Sequence, residues 1–138
     1  MSKRSGLGVM PSIAAVLLTC ACSLQRERIT VDGISRETGL AFSKEAKVTH
    51  FTETPPMDPT WVARVTMPKA FEGDFVSILR TKRADTGTVH GALSESTIWW
   101  KPKKVTLDQH YLVEGASIHV VLSDEGGQLV AYIERAVF

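Results

Sequence analysis

The sequence predicts an α+β domain, a mostly antiparallel sheet with one helix packed on it. Three observations carry that reading. Residues 117–122 and 128–137 set apolar side chains at a two-residue period on either side of Ser123-Asp124-Glu125-Gly126-Gly127, whose glycines allow the positive φ of a hairpin turn. Trp61, Ala63, Val65 and Met67 alternate with Val62, Arg64 and Thr66, as a strand with one buried face does. Between these strands the period changes, and Phe71, Phe75, Ile78 and Leu79 recur at helical spacing.

Taken in chain order, residues 34–40 form a helical turn that stops at Gly39, a common terminator. Val48, His50 and Thr52 then alternate with Thr49, Phe51 and Glu53, giving a first strand over 46–53 rich in β-branched residues. Pro55, Pro56 and Pro59 remove three backbone donors, so the chain loops there before the strand at 61–67 and the two strands make a hairpin. A helix over 68–81 follows Pro68. Glu72 and Asp74 near its start and Arg80, Lys82 and Arg83 near its end suit the helix dipole, while Gly73 costs it up to about 1 kcal/mol relative to Ala. Asp85-Thr86-Gly87 and His90-Gly91 mark turns, residues 96–100 a short strand and Lys101-Pro102-Lys103-Lys104 a loop. In the closing hairpin, Ile118, Val120 and Leu122 share a face, as do Leu129, Ala131, Ile133 and Val137.

With 138 residues, 43% hydrophobic and 22% charged, the chain is sized for one domain. A formal charge of +1 excludes a polybasic or strongly acidic tail as the basis of function. The first 22 residues stand apart. Lys3 and Arg4 precede an uncharged, mostly apolar stretch from Leu7 to Leu18, and Thr19-Cys20-Ala21-Cys22 is small. This is the layout of an N-terminal signal helix, too short at about 12 apolar residues for the roughly 20 that span a bilayer. Leu18-Thr19-Cys20-Ala21-Cys22 resembles the lipobox of bacterial lipoproteins. That resemblance implies cleavage before Cys22, whose thiol receives a diacylglycerol. Ala21 is the small residue that a signal peptidase needs; Thr19 before Cys20 fits poorly, and stands where Leu is usual. One residue between the two cysteines disfavours a disulfide, and the chain has no third.

The expected organisation is a removed signal over 1–21, a lipidated N-terminus and polar tether over 22–33, and a small α+β domain over 34–138. Loss of Lys3 and Arg4 leaves 14 of the 16 basic residues against 15 acidic, a net charge of −1, with no general attraction for nucleic acid. Ser23 follows the lipidated cysteine, where Asp would resemble an inner-membrane retention signal. The resemblance therefore implies the outer membrane, with the domain facing the periplasm.

No pattern of catalytic residues emerges. His50, His90, His110 and His119 form no HxH or HExxH and have no cysteine partner in the mature domain, so the expectation is no metal and no cofactor. Ser94-Glu95-Ser96 lacks the glycines of a nucleophile elbow, and no Ser-x-x-Lys occurs after Cys22. Asp124-Glu125 falls at a predicted turn, where solvation accounts for it. No catalytic residue is assigned.

The segment that stands out is Trp99-Trp100-Lys101-Pro102-Lys103-Lys104. Adjacent tryptophans on a strand point to opposite faces, so one indole is placed outside a one-sided core, beside Lys101, Lys103 and Lys104. Packing of both rings with solvated lysines is the competing reading. Residues 39–42 and 46–48, then 61–65, then Phe71 and Phe75 resemble an arrangement in small bacterial lipoproteins, a resemblance that implies an interaction or immunity role and names no functional residue. The expected function is a non-enzymatic, lipid-anchored envelope protein that binds another envelope protein. The alternative is a structural protein binding glycan or anionic lipid through residues 99–104.

Overall fold

A computed structural model of the chain describes residues 30–54, 60–83 and 92–137. The expected signal with Cys22, the loop expected at Pro55, Pro56 and Pro59, and the turns expected at Asp85-Thr86-Gly87 and His90-Gly91 lie outside the described residues. The elements are α1 (Val31–Thr38), β1 (Lys47–Glu53), β2 (Trp61–Pro68), a 3-10 turn (Lys69–Phe71), α2 (Glu72–Arg80), α3 (Ala92–Ser96), β3 (Val105–Val113), β4 (Ala116–Glu125) and β5 (Gln128–Val137). All strand pairs are antiparallel, in the order β1-β2-β5-β4-β3. Among the described residues no helix is long and apolar enough to cross a membrane.

Local chemistry sets the boundaries. Thr30 caps α1, its hydroxyl accepting from the Gly33 N–H at 3.0 Å, so the helix opens at Val31 rather than at Ile34. It ends at Gly39, where φ is +72°. The predicted helix over 68–81 divides because Pro68 stays extended and pairs with Gln128; a 3-10 turn intervenes before α2. The closing turn is narrower than the sequence suggests. Ser123, Asp124 and Glu125 belong to β4, and only Gly126 and Gly127 turn, at φ +61° and +80°.

The strand predicted over 96–100 is absent. Ser96 ends α3 and residues 97–100 follow in turns closed locally, with Thr97 Oγ1 donating to the Leu93 carbonyl at 2.6 Å and the Trp100 N–H to the Thr97 carbonyl at 3.1 Å. The strand that flanks β4 on the side away from β5 is β3, an edge strand in which only Tyr111 is fully buried, so its alternation is faint.

The core lies on the face where α1 and α2 pack. Ala63, Val65 and Met67 of β2, Ile118, Val120 and Leu122 of β4, and Leu129, Ala131 and Ile133 of β5 meet Ile34, Leu40, Phe75 and Leu79 there. The expected in-facing sets of β2, β4 and the start of β5 are these residues. The second face is not bare, as a one-sided sheet requires. Val62, Val121, Val130 and Tyr132 are buried on it, and Trp99 and Trp100 pack against the last three.

Candidate functional site

The second face is where this molecule concentrates polar chemistry. Strand parity dictates it: assigning Leu129, Ala131 and Ile133 to the core leaves Val130, Tyr132 and Glu134 on the other side. The register extends this into two transverse rows. One runs Thr52, Val62, Glu134, His119, His110; the next runs His50, Arg64, Tyr132, Val121, Asp108. Residues 92–104 lie across both rows.

That segment is fastened at several points. Glu134, buried, accepts from the Ser94 N–H at 2.8 Å and from its hydroxyl at 3.1 Å. Trp99 donates its indole N–H to Thr52 Oγ1 at 3.2 Å and stacks on His50, with ring centroids 5.2 Å apart. Trp100 meets Tyr132 edge-on at 5.5 Å and leans on His119 at 5.8 Å. Ser123 Oγ accepts from the Lys103 and Lys104 N–H groups at 3.1 and 3.0 Å, and the Asp124 N–H donates to the Lys104 carbonyl at 3.0 Å.

A hydrogen-bonded triad of Arg64, Glu125 and Tyr132 sits beneath the lysine loop. Arg64 donates to Glu125 Oε1 at 3.0 Å, and Tyr132 donates its hydroxyl to Glu125 Oε2 at 2.7 Å, an oxygen that also receives the Lys103 N–H at 3.3 Å. Burial pushes the Glu125 carboxyl up, but the hydrogen bonds from Tyr132, Arg64, Ser123 and the Lys103 N–H outweigh it and hold the group below its ordinary value. Burial and the neighbouring Glu125 push the Tyr132 phenol up, against the opposing hydrogen bond from Arg64. At neutral pH the Glu125 carboxylate thus faces the Arg64 guanidinium, and Tyr132 stays a neutral phenol that donates to it. The triad holds structure rather than offering a nucleophile or base.

The predicted patch comes apart in a specific way. Because residues 96–100 are not a strand, Trp99 and Trp100 do not point to opposite faces; both rings are half-buried on the same side of the sheet. Lys101, Lys103 and Lys104 are exposed, and the apolar tip beside them is Ile98, 82% exposed. The sequence places Asp124-Glu125 at a solvated turn, whereas Glu125 lies in β4 with its side chain 9% exposed and accepts from Arg64, Tyr132 and the Lys103 N–H; Ile98, Arg64, Tyr132 and Glu134 carry no assignment there. The signal for the last two was the unassigned parity of β5.

At the β3 edge the two faces of that strand separate cleanly. Tyr111 goes to the core and donates its hydroxyl to the Thr38 carbonyl at 2.7 Å, while Asp108 and His110 lie on the second face. His110 pairs with His119 in register, the rings stacked at 3.9 Å, and His119 Nε2 lies 2.7 Å from Asp108 Oδ1. A cleft of about 300 Å³ between α1 and β1, lined in part by Glu37, Phe51 and Trp61, holds no such convergence. Its Glu37 carboxylate accepts from the Trp61 indole at 2.7 Å. Compared with known proteins, the chain matches no family model, no curated protein and no solved structure.

Proposed function

We propose that the protein is a bacterial lipoprotein, anchored through Cys22 in the outer membrane and facing the periplasm, whose α+β domain acts as a non-enzymatic recognition module for another envelope protein. The observation that carries the recognition half is the loop over residues 98–104. Its backbone is pinned to Ser123, Asp124 and Glu125, yet it presents the Ile98 side chain and three lysines to solvent. A rigid loop loses little conformational freedom on binding, and an apolar tip rimmed by cations suits an apolar pocket on an acidic partner. The two tryptophans support the loop from beneath. A narrower form of the same reading is an immunity-type protein that lays this loop over an acidic effector's working surface.

The anchor half rests on the lipobox-like residues 18–22. Two or three acyl chains, at about 0.8 kcal/mol per buried methylene, hold a protein on a bilayer stably. The test is an affinity pull-down of the lipidated protein from gently solubilised membranes, with mass spectrometry of the N-terminus and of whatever is captured. A lipid mass on Cys22 and one stoichiometric partner, lost on changing Lys101, Lys103 and Lys104 to Glu, is the expected result. Cys22→Ser should release the protein from membranes. Capture of glycan fragments or anionic liposomes with the same lysine dependence would instead make the loop an envelope-binding surface. An unmodified Cys22 in a processed, soluble protein would overturn the anchor.

A further inference from the structure

We infer that Asp108, His110 and His119 form a binding site for a divalent transition-metal cation of the zinc type. The backbone brings the three together. Asp108 and His110 are two residues apart on β3 and so share a face, and the antiparallel register sets His119 of β4 directly opposite His110. One donor atom from each residue lies within 4.8 Å of the other two, and Asp108 Oδ1 is 2.7 Å from His119 Nε2. Zinc bonds of about 2.0–2.2 Å in tetrahedral geometry separate neighbouring donors by about 3.4 Å. The imidazoles stand stacked and nearly parallel, so ligation requires a ring to turn about its side-chain bonds until both nitrogens face the ion.

The donor set points to the class of cation. Two imidazoles and one carboxylate suit zinc, nickel or copper rather than magnesium or calcium, which favour all-oxygen shells. Three protein ligands leave one position of a tetrahedral ion for water or for a donor from a partner. The surroundings favour positive charge. The neighbour of His119 in the next strand is Glu134, a buried carboxylate, and Trp100 shields one side of the His119 ring. The competing reading is a purely structural cluster, in which Asp108 orients His119 and the imidazoles stack. That reading gives no dependence on metal.

The two are separated by titrating ZnCl2 into the full chain, with Cys20 and Cys22 alkylated so that their thiols do not compete. The expected result is one zinc per chain, weakened at least about tenfold by His110→Gln and by His119→Gln, in line with what loss of a supporting contact alone costs a metal site. Cupric ion should quench the fluorescence of Trp100, and Trp100→Phe should remove that component. His50→Gln is the matched control, since His50 also stacks on a tryptophan but on the opposite edge of the sheet. It should bind zinc as the parent does. If the histidine variants fold poorly, Asp108→Asn serves, because that side chain is 57% exposed and its replacement leaves the sheet intact. No saturable zinc binding, binding that survives all three ligand substitutions, or equal loss in His50→Gln would overturn the site.

Discussion

Replacing Glu125 with Ala removes the hub that ties the lysine loop to the sheet, and the cost can be worked contact by contact. The substitution deletes hydrogen bonds to Arg64 at 3.0 Å, to Tyr132 at 2.7 Å and to the Lys103 N–H at 3.3 Å. Charge-assisted bonds contribute about 1.5–3 kcal/mol each in favourable cases, and stranding a fully buried partner costs about 3–5 kcal/mol. Neither upper figure applies. Arg64 keeps Thr49 Oγ1 at 2.9 Å and its side chain is 19% exposed, while the Lys103 N–H keeps Ser123 Oγ at 3.1 Å. The net loss should be about 2–3 kcal/mol, which lowers the urea midpoint by about 1–2 M for a domain of this size. Glu125→Gln, which keeps the shape and drops the charge, should lie between. The pH dependence has a definite sign. The folded protein binds a proton at Glu125 less readily than the unfolded chain does, so the contribution is whole above the ordinary value of 4.5 and is lost as pH falls through the lower folded value. The stability gap between parent and Glu125→Gln should therefore close on acidification. Coincident urea midpoints at neutral pH, or a gap unchanged down to about pH 3, would refute the reasoning.

Other substitutions probe separate parts of the argument. Phe75→Ala empties the centre of the core where α2 meets the sheet and should cost about 3–5 kcal/mol in chemical denaturation, without altering zinc binding in the folded fraction. Gly127→Ala meets no neighbouring atom within 4 Å, so its cost is backbone strain at φ +80°, about 1–2 kcal/mol by thermal melting. Changing Lys101, Lys103 and Lys104 together to Glu should leave stability within about 0.5 kcal/mol of the parent, since all three side chains are exposed, while abolishing capture of an acidic partner.

What could be read from the chain followed the strength of its periodicity. Ile118, Val120 and Leu122 against Leu129, Ala131 and Ile133 recur at the two-residue period of paired strands, which sets each group on one face, and their positions in the core follow from that spacing. Edge strand β3 gives no such signal, because an edge on a half-covered face tolerates Thr106, Asp108 and Leu112 in solvent. Missing β3 hid the site with it. Asp108 and His110 are related by the two-residue period of a strand, but His119 joins them only through register, which no local spacing encodes. The tryptophans were misplaced for a related reason. The sequence of residues 96–100 is rich enough in apolar residues to suit a strand, but hydrogen bonds from Thr97 and Trp100 to residues three and four earlier close turns instead.

The two faces of the sheet are held by different kinds of contact. On the helix-packed side every strand contributes aliphatic or aromatic groups, and Tyr111 donates its hydroxyl to the Thr38 carbonyl. On the other side, the segment over 92–104 is held by bonds to charged or polar side chains: Glu134 to Ser94, Glu125 to Lys103, Ser123 to Lys103 and Lys104, Thr52 to Trp99. Such contacts are directional and contribute little net free energy each, so they fix where the loop lies without making it part of the core. A surface built this way can vary at Ile98 or the lysines without disturbing the fold, whereas a change at Glu125 or Glu134 shifts the loop as a unit. Among the polar residues on this side, the cost of a substitution should therefore follow its hydrogen bonds to residues 92–104.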